Sequence, residues 1–315
     1  MAKISNKRTT ECFKPIDLKM KIPDILKRKK TLSFEIFPPK REEEKFTLIE
    51  KTIYELDEFK PDFISVTYGA LGNTLSNTVA VAKHIKEHTY SEPLAHLTCV
   101  SSNEEKIEAI CHELKDAGIE NILTLRGDIP KDANAPVFSD FAHASDLSRF
   151  IHRKFGNDFS FAGACYPEKH PEAVSMKEDI LNLRKKQDAG MSFFTTQLFF
   201  DNNAFYHFLL MARQAGITVP IIPGIMPVSN YNQLDRMIQM TGCRIPLELR
   251  NYFDRYRHDK DALEEIGIIY TSYQILDLIS HDVDGIHIYS MNKSGFIKKL
   301  MANIEYVAND YFAAK

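Results

Sequence analysis

A (β/α)8 barrel is the architecture that this 315-residue sequence predicts, on three observations. Eight short runs rich in Val, Ile, Phe and Thr alternate with amphipathic stretches of helical period. A further helical excursion at 231–281 precedes the last run. No G-x-G occurs, although a doubly wound sheet often carries that fingerprint after its first strand. Spacing alone leaves the doubly wound sheet open as the competitor.

Residues 1–30 read as an N-terminal extension, partly helical, that ends in the basic run Lys27-Arg28-Lys29-Lys30. One catalytic barrel is expected over 31–315. Its strand runs are 33–37 (SFEIF), 62–67 (DFISVT), 94–99 (LAHLTC) and 121–125 (NILTL), then 159–165 (FSFAGAC), 194–199 (FTTQLF), 219–222 (VPII) and 285–289 (GIHIY). All favour the residue types that fit a pleated surface. Between them, 46–59 places Leu48, Ile49, Ile53 and Leu56 at helical spacing, and 103–116 does the same with Ile107, Ile110, Cys111 and Leu114. Ser102 or Asn103 is the expected N-cap of the second, and Gly118 and Gly216 stand where helices should stop. One last helix is expected over 294–312.

The chain is 44% hydrophobic and 26% charged, which excludes a disordered or disulfide-built protein. Forty Lys and Arg against 43 Asp and Glu argue against a nucleic-acid partner. Five cysteines without a C-x-x-C pair read as buried, reduced thiols rather than a zinc or dithiol motif. His84 and His88 have i, i+4 spacing but are not read as a metal site, because a lysine stands between them. No apolar run reaches the ~20 residues of a membrane span, and residues 1–21 hold no secretory core. A cytoplasmic enzyme is the expectation.

Catalytic groups of such a barrel gather at the C-terminal ends of its strands. There the sequence places Glu35, Thr67-Tyr68-Gly69-Ala70, His96, Arg126-Gly127-Asp128, Tyr166 with His170, and Gln197. Each has a bland reading as a salt bridge, turn or packing group. Together, at six successive strand ends, they would leave many buried polar groups unpaired without a ligand. Glu35, among Phe34, Ile36 and Phe37, is expected to have a raised pKa suited to a general acid. Asp179, Asn182 and Lys186 share a helical face beside Lys185, which reads as a solvated face or as a cradle for ribose and pyrophosphate.

The ordered set SFEIFPPK, SVTYGA, HLTC, LRGD, YPEKHPEA, TQLFFD, IIPGIMPVSN and HIYSMN resembles the methylenetetrahydrofolate reductase family in its bacterial, single-domain form. The resemblance implies a barrel holding FAD. It also implies a ping-pong reduction of 5,10-methylenetetrahydrofolate by NADH or NADPH, which supplies methyl groups for methionine synthesis. Glu35 falls on the family's proton donor and Asp128 on its acid beside the flavin and folate. Thr67, Tyr68, Ala70, His96, Arg126, Gly127, His143, Ala164, Tyr166, His170 and Ala173 fall on flavin or nicotinamide contacts. Asp179, Asn182, Lys185 and Lys186 fall on the dinucleotide helix, and Gln197, Gln233 and Lys293 on substrate contacts. Lys185 and Lys293 replace arginines of the family pattern, and His143 a tyrosine. Lysine keeps the charge and loses the bidentate geometry. A homo-oligomer is the expected assembly. The competing readings are a barrel lyase or hydrolase built on Glu35 and Asp128, and a non-catalytic flavin- or folate-binding barrel.

Overall fold

The computed structural model describes residues 20–39, 46–68, 75–128 and 138–313. Its strands are β1 (Thr31–Ile36), β2 (Phe63–Val66), β3 (Glu92–Thr98), β4 (Asn121–Leu125) and β5 (Ser160–Cys165), followed by β6 (Met191–Thr196), β7 (Ile221–Ile222), β8 (Gly224–Ile225) and β9 (Gly285–Tyr289). All pair in parallel, in the order β7-β6-β5-β4-β3-β2-β1-β9-β8. The fold is a TIM-type (β/α)8 barrel, as the alternation predicts.

The expected seventh strand is two pieces. Pro223 has no N–H to give to a ladder, so the strand breaks there. β7 pairs with β6 through Phe194 and Ile221, and β8 pairs with β9 through Gly224 and His287, so the two halves close the ring. A Cβ on Gly224 would lie 2.3 Å from the Thr196 carbonyl oxygen and 2.7 Å from the Tyr289 hydroxyl. Three strands crowd together at this point, and only glycine fits.

The outer layer is α2 (Phe46–Asp57), α3 (Leu75–His88), α4 (Glu104–Asp116), α5 (Ala144–Phe155), α6 (Met176–Asp188) and α7 (Asn202–Gln214). Asn103 caps α4 by accepting the Lys106 amide at 2.9 Å. The excursion resolves into α8 (Tyr231–Thr241), α9 (Leu247–Arg255) and α10 (Lys260–Ser280). Leu234, Met237, Leu249 and Phe253 pack it against Leu198 and Phe200 beyond β6. The expected single last helix is instead α11 (Ser294–Asn303) and α12 (Glu305–Tyr311), broken at Ile304. The break turns α12 back, so that the Tyr311 hydroxyl donates to the Val283 carbonyl at 2.6 Å. The four described cysteines are buried and unpaired. Burial pushes the Cys99 and Cys111 thiols up to about 12, which makes them poor nucleophiles.

The N-terminal segment ends in α1 (Ile22–Leu26), which is part of the barrel floor. Ile22 is fully buried against Phe63, Leu94, Leu123, Phe193 and Ile222, the inward residues of five strands. Its amide donates to Asn121 Oδ1 at 2.9 Å, which binds the helix to β4. This apolar plug fills the lower barrel and leaves polar inward positions to the upper end.

Ile22→Ala should therefore open a cavity beneath the sheet and cost about 2–5 kcal/mol. Urea denaturation measures this, and a loss under 1 kcal/mol would show that α1 does not close the floor.

Candidate active site

The upper barrel is lined by polar residues two apart on the strands: Ser33 and Glu35 on β1, Ser65 on β2, His96 and Thr98 on β3, and His287 and Tyr289 on β9. Period-two geometry puts each pair on one face. Register then sets Glu35 opposite Ser65 on one side, and Ser33 opposite His287 on the other.

The Glu35 side chain is 12% exposed, and three groups converge on its Oε2. The Ser65 hydroxyl donates at 3.3 Å, His96 Nε2 lies at 3.6 Å and His287 Nε2 at 3.8 Å. Ser33 Oγ meets His287 Nδ1 at 2.8 Å, and Ser65 Oγ meets His96 Nε2 at 3.1 Å. These contacts reverse the expectation of a raised pKa. Burial pushes the Glu35 carboxyl up, but His287, His96 and Ser65 outweigh it and hold the group below its ordinary value. Phe34 and Ile36, one residue to either side on the strand, point away from the barrel interior, where the carboxyl sits. Burial takes His96 the other way, down to about 4, so its ring is neutral at pH 7.

A second group forms above β4 and β5. Arg126 follows β4, and both its terminal nitrogens donate to Glu172 at 2.6 Å. Gly127 has φ +84°, and a Cβ there would meet Val100 and Thr98 at 3.0–3.1 Å, so both the turn and the packing call for glycine. Asp128 beside it is exposed. The Tyr166 and His170 rings meet edge to face at 4.6 Å, and burial pushes the Tyr166 hydroxyl up to about 12. Asp179 of α6 accepts the His170 amide at 2.8 Å, and the Lys186 ammonium donates to the Ala164 carbonyl at 2.7 Å. Burial lowers the Lys186 pKa, opposed by Cys165 and Asp179. Asp179 and Lys186 thus turn toward β5, whereas Lys185 is exposed and donates to Asn182 at 2.9 Å.

A third group joins β8 and β9. Lys293 Nζ donates to Ser229 Oγ at 3.0 Å, and Ser229 donates to Gln233 Oε1 at 3.2 Å. Gln197 stands one residue past β6, and its Oε1 accepts the Leu198 amide at 2.9 Å. The Tyr289 ring meets His287 at 5.2 Å, and its hydroxyl donates at 2.5 Å to the carbonyl of Thr196, which pairs with Cys165 just before Tyr166, so the first two groups are neighbours. Thr67 continues the β2 ladder by donating its amide to Ile36 at 3.1 Å. His143 stands apart as the exposed residue before α5, its amide bound to Asp146 at 3.0 Å. Ala70 lies outside the described residues, whereas Ala173 closes its loop on His170 at 3.0 Å. The residues that sequence reasoning passed over are Ser33, Ser65 and His287. Their signal was the same two-residue alternation that singled out His96.

A dinucleotide needs cations, an acid for ribose hydroxyls and approachable backbone. Arg126 and Lys186 are cations of that kind, Asp179 is such an acid, and Gly127 is a backbone position without a side chain. The Tyr68 hydroxyl at the top of β2 is buried with the Ser102 side chain beside it, where it faces the same mouth. The model of the family described as methylenetetrahydrofolate reductase matches residues 20–305. The chain belongs to the methylenetetrahydrofolate reductase family. The 5,10-methylenetetrahydrofolate reductase of Escherichia coli K12 is 37% identical over 263 residues, covering 84% of this chain and 86% of that protein. Methylenetetrahydrofolate reductase (NADH) 1 of Arabidopsis thaliana is 35% identical over 284 residues, and there the chain spans 48% of the relative's length. A solved structure from Clostridium thermocellum, described as binding two copies of 5-methyl-5,6,7,8-tetrahydrofolic acid, superposes with a TM-score of 0.64 at 17% identity. It covers 90% of this chain and 98% of its own, and it shows the shared fold alone.

Glu35 and His96 make this family barrel acid-sensitive in one direction. Unfolding releases His96 to its ordinary value near 6.5, so the unfolded state binds the extra proton first. The stability that neutral His96 contributes is complete above 6.5 and is lost as pH falls toward about 4, on the order of 3 kcal/mol in all. Glu35, also depressed, adds its loss below the ordinary glutamate value. Denaturation midpoints across this range should fall for the parent and flatten for His96→Asn. Parallel curves would clear His96 of the effect.

Proposed function

We propose that this protein reduces 5,10-methylenetetrahydrofolate to 5-methyltetrahydrofolate, with FAD as cofactor and NADH or NADPH as the reductant, in a ping-pong sequence. The observation that carries the reading is Glu35, a carboxyl held inside the barrel among Ser65, His96 and His287. A buried acid does nothing for dinucleotide affinity, and it suits a reaction that must deliver a proton. Family membership supports the substrate class. It also supports a small-molecule folate as the partner, and we read the protein as a cytoplasmic enzyme that provides methyl groups for methionine synthesis.

FAD, when bound, supplies the hydride chemistry. The chain supplies the rest. Arg126, Lys186 and Asp179 hold the dinucleotide, with Gly127 offering backbone and Tyr68 its hydroxyl. Lys185, Asn182 and His143 complete the outer side of that site. Glu35 delivers a proton to the folate nitrogen as the methylene bridge opens. In the open pocket it is ionised at neutrality, so substrate entry, which excludes water, must first favour its protonated form. Neutral His96 holds it in place, and His287 at 3.8 Å stands where it can return the proton. Asp128 at the rim stabilises the cationic character of the opening ring. Gln197, Gln233 and Lys293 hold the substrate from the β6, β8 and β9 side.

Two outcomes test these roles. Glu35→Gln keeps the shape and removes the acidic proton, so NADH should still bleach the flavin within about tenfold of the parent rate. Reoxidation by methylenetetrahydrofolate should fall on the order of 10²-fold or more in anaerobic stopped flow. If both rates fall together, Glu35 shapes the pocket instead. Lys185→Ala with Lys186→Ala should lose flavin on gel filtration, more so at high salt. Occupancy equal to the parent would remove both lysines from the cofactor site.

A further inference from the structure

The turn after β9 is strained, and nothing in the roles above uses it. Met291 and Asn292 have φ of 52° and 56°, two successive non-glycine residues in the left-handed region. Asparagine tolerates this conformation and methionine does not favour it. The end of β1 holds the turn through two residues. The Phe37 amide donates to Asn292 Oδ1 at 2.9 Å, and Asn292 Nδ2 donates back to the Phe37 carbonyl at 2.9 Å. The Ser290 hydroxyl and amide both donate to the Glu35 carbonyl, at 2.6 and 3.2 Å. The next residue is Lys293, whose amide closes the turn on the Ser290 carbonyl at 2.8 Å and whose ammonium reaches Ser229 at 3.0 Å.

We propose that Asn292 is a positioning residue for the substrate side of the reaction: its carboxamide clips the strained turn to Phe37 and so fixes Lys293 relative to Glu35. The side chain acts as one more peptide unit, extending the β1–β9 ladder past Tyr289 on the strand that carries Glu35. The clip is solvent-exposed, where water would satisfy the same groups and the net gain in stability is small. What it adds is geometry. Lys293 lacks the fork of an arginine and meets its partner with a point charge, so its position depends on where the turn places it. A strained backbone that its neighbours over-determine is characteristic of sites where position matters. The inference rests on the reading of Glu35 and Lys293 under Proposed function.

The test uses the flavin-loaded full chain. Asn292→Gly adopts the left-handed turn without strain and removes the clip. Its KM for methylenetetrahydrofolate should rise about tenfold, with bleaching by NADH within about twofold of the parent and little change in melting temperature. Asn292→Asp keeps the acceptor for the Phe37 amide and should fall between the two. Added to Lys293→Met, the glycine should raise KM no further, because both changes remove the same placed charge. A parental KM in Asn292→Gly, multiplying effects in the double variant, or a parallel fall of both half-reactions would each overturn the proposal. If the parent itself does not turn over the folate, the functional reading fails separately. Amide hydrogen exchange at Phe37 and Lys293 then decides the clip, expected to quicken in Asn292→Gly and overturning it if unchanged.

Discussion

A carboxyl cannot sit inside a closed barrel unless neighbouring strands supply polar partners for it. Glu35 is in that position, and much of the upper barrel answers to it. Ser65 comes from β2, His96 from β3 and His287 from β9, the last braced by Ser33 of β1. Slipping any of these strands by one residue would turn its partner to the outer face and leave the charge alone. The register that closes the barrel is therefore the register that makes the site.

This demand divides the interior into two halves. The lower half is filled with apolar side chains and plugged by Ile22 of α1, which supplies burial without polar cost. The upper half gives up that packing to hold titratable groups, so it depends on the floor for stability. The break at Pro223 lies near the boundary. It lets Gly224 approach β6 and β9 closely, and the Tyr289 hydroxyl there donates to the Thr196 carbonyl at 2.5 Å.

Around this centre, the cationic side of the mouth and the β8–β9 side are built differently. Arg126, Asp179 and Lys186 are fixed by short bonds to carboxylate, backbone amide and backbone carbonyl. Lys293 hangs from a strained turn and meets a serine. The first side places its charges by direct bonds, and the second places Lys293 through the backbone of the turn.

The sequence by itself determined the alternation of strands and helices, because their periods are local, and its resemblance to a family chose the barrel over the doubly wound sheet that spacing left open. It also determined the acids, bases and cations at the strand ends, since Glu35, His96, Arg126 and Asp128 fall where any such barrel places its chemistry. Its family motifs ran from the first strand to the last. It did not determine the state of Glu35. Phe34, Ile36 and Phe37 suggested an apolar pocket, but the adjacent Phe34 and Ile36 face the other way, and the groups that set its charge are Ser65, His96 and His287. The break at Ile304 and the place of α1 in the floor were equally out of reach. Each follows from contacts between residues far apart in the chain, and only closure of the sheet brings those residues together.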